Sequence, residues 1–129
     1  MKLPHLTNAE LSVMHLLWQQ DRLTARAIKE QLYPGAAKSQ HGTVQRLLQS
    51  LEEKGLVTRD RSLGVHLFSP TFGREVYASR ELESLTKRLT GGSLVPLVTQ
   101  LMAEEKISSQ EIEQLKRALD QHDDGADEE

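Results

Sequence analysis

Residues 39–70 read SQHGTVQRLLQSLEEKGLVTRDRSLGVHLFSP, and the reading of this stretch decides the fold. Val44, Leu47, Leu48 and Leu51 recur at the i, i+3, i+4, i+7 interval of one buried stripe, which predicts a helix from near Ser39. Gly55 stands where a left-handed residue would close that helix. Leu56, Val57 and Thr58 then read as a strand, Arg59 to Gly64 as a turn, and Val65 to Ser69 as a returning strand that Pro70 stops. Placed on a helical wheel, Ser39, Gly42, Thr43, Arg46, Gln49 and Ser50 fall opposite the apolar stripe or on its flanks, and Ser39, Gln40, Gly42, Thr43, Gln45, Arg46 and Gln49 are the candidates for contacts from this helix. No acidic residue occurs between Gln31 and Leu51. Gln and Arg have the donor geometry that suits adenine and guanine edges, Thr can meet a thymine methyl, and Gly42 permits close backbone approach. That face is either the reading surface of a DNA-binding helix or an ordinary solvated side, and the hairpin directly after it favours the first.

On the N-terminal side, Thr7 followed by Glu10 forms a capping box, and Leu11, Met14, Leu17 and Trp18 continue at helical spacing, so a first helix is predicted over Asn8–Gln20. Asp21-Arg22-Leu23 is a short connection. Thr24 can cap a second helix with Ala25, Ile28 and Leu32 inward, ended by Pro34-Gly35. Helix, helix, helix, hairpin is the winged helix-turn-helix order, assigned to residues 1–70. Around its reading face, Arg26, Lys38, Arg59, Arg61 and His66 are candidates for the wing and for phosphate contacts, which supply affinity and register without sequence information.

Beyond Pro70 the pattern is helical again. Phe72, Val76, Leu82, Leu85 and Leu89 form one stripe, Gly91-Gly92 breaks it, and Leu94, Leu97 and Leu101 form a second. Ser108 with Glu111 is another capping box, opening a last helix that carries Ile112, Leu115 and Leu119. These stripes are short and offer few large side chains, so residues 71–121 are expected to bury them against a second copy of the chain, as a helical dimerisation domain. Residues 122–129 read as an acidic, disordered tail. The fold class expected is mainly α with a small β-hairpin wing.

Charge divides along the chain. Residues 1–70 hold nine Lys and Arg against six Asp and Glu, whereas residues 71–129 hold seven against thirteen, so only the first half would attract a polyanion. The chain has no cysteine, which excludes disulfides and thiolate metal sites. Its five histidines, His5, His15, His41, His66 and His122, show no ligand spacing, and no metal site or cofactor is expected. There is no phosphate-binding Gly-rich loop, nucleophile elbow or carboxylate pair beside a base, so no catalysis is expected either. No apolar run is long enough to span a bilayer and the N-terminus lacks a signal-peptide pattern, which points to the cytoplasm.

In their order and spacing, the stretches LTNAELSVMHLLW at 6–18, TARAI at 24–28, TV at 43–44, LEEKGLV at 51–57, FSP at 68–70, LTKRLTGGS at 85–93 and SSQEIEQL at 108–115 are similar to a known pattern. Over Leu6–Leu119 the chain resembles the penicillinase-repressor family of the BlaI/MecI type. The resemblance implies a homodimer that binds a palindromic operator on double-stranded DNA and represses a promoter, with the C-terminal helices forming the interface. It further implies a membrane sensor protease as a partner, which in antibiotic-responsive members triggers repressor cleavage at an Asn-Phe bond. Here the only asparagine is Asn8, followed by Ala9, so that bond is absent. Copper-responsive relatives use C-terminal cysteines, which this chain also lacks. The reading helix departs from the family at His41, Gly42 and Arg46, and the wing departs at Gly64, so the binding mode carries over and the operator sequence does not. Two other readings compete: a winged helix turned into a protein-docking module, and a histidine-based metal sensor.

Overall fold

The computed structural model describes residues 4–35 and 40–127. The chain divides into two compact units, Met1–Leu82 and Glu83–Glu129.

In the first unit, α1 (Asn8–Gln20) starts at a complete capping box: the Thr7 hydroxyl accepts from the Glu10 N–H at 3.2 Å, and Glu10 Oε1 accepts from the Thr7 N–H at 2.9 Å. α2 (Ala25–Leu32) is capped by Thr24, whose hydroxyl accepts from the Ala27 N–H at 3.1 Å. α3 (His41–Glu53) ends in the left-handed closure its sequence requires. Gly55 takes φ +77°, the Leu56 N–H donates to Leu51 O at 2.9 Å, and Leu56 itself is buried behind the turn.

Val13, Met14 and Leu17 of α1, Ile28 of α2, and Val44, Leu48 and Leu51 of α3 meet in one core with Leu56, Val57 and Phe68. Each such fully buried side chain contributes about 1.5–3 kcal/mol of transfer free energy. The hairpin pairs β1 (Val57–Asp60) antiparallel with β2 (Leu67–Pro70), with Val57 opposite Pro70 and Arg59 opposite Phe68. Both strands lie toward the C-terminal side of the spans expected. Arg59 and Asp60, polar residues read as turn, extend β1, because Glu52 and Arg22 supply their side chains with partners.

Leu23 adds a one-residue third strand, exchanging backbone hydrogen bonds with Phe68 at 3.1 and 2.8 Å. The chain reaches that position through a sharp γ-turn at Asp21, where φ is 68° and the Arg22 N–H donates to Gln20 O at 2.8 Å. A non-glycine residue in that conformation costs on the order of 1–3 kcal/mol.

α4 (Arg74–Thr90) begins in the first unit and ends in the second. Its first turns belong to the winged-helix core: Tyr77 is buried, and its hydroxyl accepts from the Leu6 N–H at 2.9 Å and donates to Glu81 Oε1 at 2.6 Å. Burial and the Glu81 carboxylate push this phenol up to about 12. The Trp18 indole N–H donates to Phe72 O at 3.0 Å, and the rings of Trp18, Phe72 and Tyr77 cluster at centroid distances of 6.1–6.3 Å, Trp18 and Phe72 edge to face and the other pairs tilted. Phe72, expected at a subunit interface, is therefore partly buried on the first unit's own core.

The second unit holds the end of α4, then α5 (Val95–Ala103) and α6 (Ser109–Asp127). Helix α6 continues to Asp127, so residues 122–127 are helical where a disordered tail was expected. Its start repeats the Ser108–Glu111 capping box read from the sequence.

Candidate nucleic-acid interface

α3 divides cleanly into two sides. Val44, Leu48 and Leu51 are buried and Leu47 packs against them, while His41, Gly42, Gln45, Arg46 and Gln49 are exposed on the other side. Thr43 and Gln40 are half-buried at its margin, and Gln40 forms the N-cap without a side-chain hydrogen bond. Lys38 and Ser39, also expected at this surface, lie outside the described residues.

The helix is fixed at its far end by a buried carboxylate. Glu10 is 2% exposed, yet it accepts from Lys54 Nζ at 2.8 and 2.9 Å and from Ser50 Oγ at 2.7 Å, besides closing the cap of α1. Burial alone would raise its pKa. The hydrogen bonds from Lys54, Thr7 and Ser50 more than reverse that and hold the carboxyl at about 2. Ser50 thus faces inward and positions α3, although a wheel places it on the flank of the outer face.

Neither α2 nor α3 has an acidic residue in its first turn, so the positive end of each helix dipole has no carboxylate within its own first turn. Arg46 makes no hydrogen bond or ion pair among the described residues, and Gln49 touches only Glu53, at 3.3 Å. Gly42 has no positive φ, and a Cβ built on it would meet nothing within 4 Å. The fold itself does not need glycine there. Gly42→Ala is accordingly expected to stabilise the protein by about 0.5–1 kcal/mol, as read by urea unfolding, while weakening duplex binding in fluorescence anisotropy by keeping the backbone off the bases.

The candidate phosphate contacts separate into two groups. Arg61 is exposed and unpaired among the described residues, and Arg26 is exposed with only an i, i+4 partner, Glu30, at 3.2 Å. Arg59 is different. Its guanidinium pairs with Glu52 at 2.9 Å, lies 4.8 Å from the centre of the Phe68 ring, and its side chain is only 18% exposed. It braces the hairpin against α3 and is not presented to a ligand; His66, exposed beside it, has Nδ1 3.3 Å from Arg59 Nη1. The bracing was not readable locally, because it depends on which residue of α3 the folded strand meets.

Of the residues expected at a dimer interface, Val76, Leu82, Leu85, Leu89, Leu94, Leu101, Leu115 and Leu119 are exposed, and Leu97 and Ile112 are half-buried. Among the described residues there is no group of three His, Asp or Glu side chains that could hold a metal ion, and no helix is long and apolar enough to cross a membrane.

Residues 6–121 match the family described as penicillinase repressor. The chain belongs to that family. Among curated penicillinase repressors, it is 25% identical over 121 residues to the one from Bacillus licheniformis, covering 94% of each chain. It is 23% identical over 114 residues to the one from Staphylococcus aureus, covering 88% of this chain and 90% of that one. A solved structure described as the DNA-binding domain of the repressor BlaI aligns at 25% identity and a TM-score of 0.49, covering 57% of this chain and 90% of that domain. Penicillinase repressors are transcription regulators, not enzymes.

Proposed function

We propose that this penicillinase-repressor family member is a cytoplasmic transcription repressor that binds a palindromic DNA operator as a homodimer. The observation that carries the reading is the outer side of α3: Gln45, Arg46 and Gln49 stand exposed on a rigidly anchored helix with no carboxylate before Glu52. Arginine and glutamine there suit bidentate contacts to guanine and adenine in the major groove, with Arg26 and Arg61 on flanking phosphates.

The second unit supports the dimer. Among its described residues none of the large hydrophobics is buried, and α5 and α6 flank an apolar groove of about 380 Å³ lined by Leu94, Val98, Met102, Ile112, Leu115 and Leu119. A twin copy would cover it and set two recognition helices on half-sites one helical turn, or a multiple, apart.

Binding-site selection from random duplex tests the reading, and an enriched two-fold palindrome is the expected product. Arg46→Ala should cost about 1–3 kcal/mol and relax preference at particular base pairs, whereas Arg61→Ala should weaken all sequences alike and reduce the salt slope. Selection that returns no palindrome would refute specific repression. Duplex affinity that is absent at low salt would favour the protein-docking reading instead.

A further inference from the structure

Two aliphatic side chains stand bare at the tip of the hairpin. Leu63 is 66% and Val65 53% exposed, on the 61–66 connection between β1 and β2. The loop that carries them is stiff at its base. Asp60 accepts from the Ser62 N–H at 2.8 Å, from Ser62 Oγ at 2.7 Å and from Arg22 Nη2 at 2.9 Å, and Arg59 is clamped between Glu52 and the Phe68 ring. Gly64, at φ +82°, allows the reversal between the two aliphatics. The result is an apolar point on a fixed stalk.

Its surroundings define what it fits. Residues 61–66 carry Arg61 and His66 and no carboxylate, so the matching surface is anionic at its edges and apolar in its middle. A DNA minor groove has that cross-section, with phosphates on both rims and sugar faces and base-step edges between them. A protein partner fits less well, because two side chains cover far less than the roughly 1,000 Å² that a stable protein interface needs.

We propose that Leu63 and Val65 act as an apolar wedge in the minor groove beside each half-site, with Arg61 and His66 on its rims. By opening a base step there, the wedge makes an easily unstacked pyrimidine–purine step part of the operator, although no side chain reads its bases by hydrogen bonds. The proposal rests on the DNA-reading function of α3, and the two are separable by experiment.

The test compares the full-length protein with the double variant Leu63→Ser/Val65→Ser. Both side chains are exposed, so far-UV circular dichroism and the thermal midpoint should be unchanged. Duplexes would share the selected half-sites and place either a TpA or a GpG step at each flanking position, with 2-aminopurine scanned through the flank. The wild type should prefer one TpA-flanked duplex by at least about fivefold, on the scale of a single base-pair change, and 2-aminopurine emission at that step should rise on binding. The double variant should keep its half-site preference and lose both effects. Three results would overturn the wedge: no flank effect in the wild type, a flank effect that survives in the double variant, or loss of self-association as the variant's only defect. A wild type that binds no duplex would overturn the α3 reading as well, whereas intact half-site preference with an indifferent flank overturns the wedge alone.

Discussion

Glu10→Ala should lower the unfolding free energy at pH 7 by about 3 kcal/mol, near the lower end for breaking a buried ion pair because Lys54 is partly exposed and can turn to water. The variant strands more than a lysine. The Ser50 hydroxyl loses its acceptor, and the Thr7 N–H at the start of α1 loses the return bond of its capping box. Glu10→Gln, which keeps an acceptor for Thr7, should cost less. The same carboxylate governs acid stability, with a sign fixed by its depressed pKa. Relative to the ordinary value of 4.5, a folded value of about 2 means that its contribution is complete above pH 4.5 and is lost as pH falls toward 2. Over that window the loss is on the order of 3 kcal/mol, and Glu10→Gln should remove it. Urea unfolding at pH 7, 4.5 and 3 measures both effects. A Glu10→Gln protein with the wild-type acid dependence would contradict the assignment.

Leu115→Asp should convert the proposed dimer to a monomer and reduce affinity for the proposed palindrome by about 10²–10⁴-fold, the gain that linking two binding modules commonly provides. The aspartate enters the groove between α5 and α6, where a twin copy's apolar side chains would desolvate its carboxylate. Leu115 is exposed within its own chain, so the substitution removes nothing from a monomer core. Affinity for an isolated half-site should therefore be unchanged. Analytical ultracentrifugation with anisotropy on both duplexes separates the two effects. A variant that remains dimeric, or one whose half-site binding falls equally, would place the interface elsewhere.

Local chemistry made much of this legible in the sequence. The Thr7–Glu10 and Ser108–Glu111 boxes fixed two helix starts, and the Val44–Leu51 stripe oriented α3, because those signals lie within one or two turns of chain. What escaped depends on partners distant in sequence. Lys54 meets Glu10 across 44 positions and Arg22 meets Asp60 across 38, so Glu10 reads as a cap and Asp60 as a turn residue until the chain is folded. Phe72 has the periodicity of the stripe that follows it, yet Trp18 takes it into the first unit. Arg59 looks like any wing cation, since nothing near it in sequence announces that Glu52 lies against β1. Exposure of Val65 was equally hidden, because it reads as the first residue of a strand that begins two residues later, at Leu67.

The ring cluster at Trp18 has a practical consequence. Trp18, Tyr33, Tyr77, Phe68 and Phe72 are all the aromatic residues of the chain, and every one precedes Glu83. Tryptophan emission and near-ultraviolet dichroism therefore monitor only the N-terminal unit, while the leucine-rich C-terminal helices are optically silent except in the amide region. Denaturation curves recorded in both spectral windows would thus separate unfolding of the N-terminal unit, seen in both, from that of the C-terminal helices, seen in the amide region alone, and only the latter should depend on protein concentration if the proposed dimer forms there.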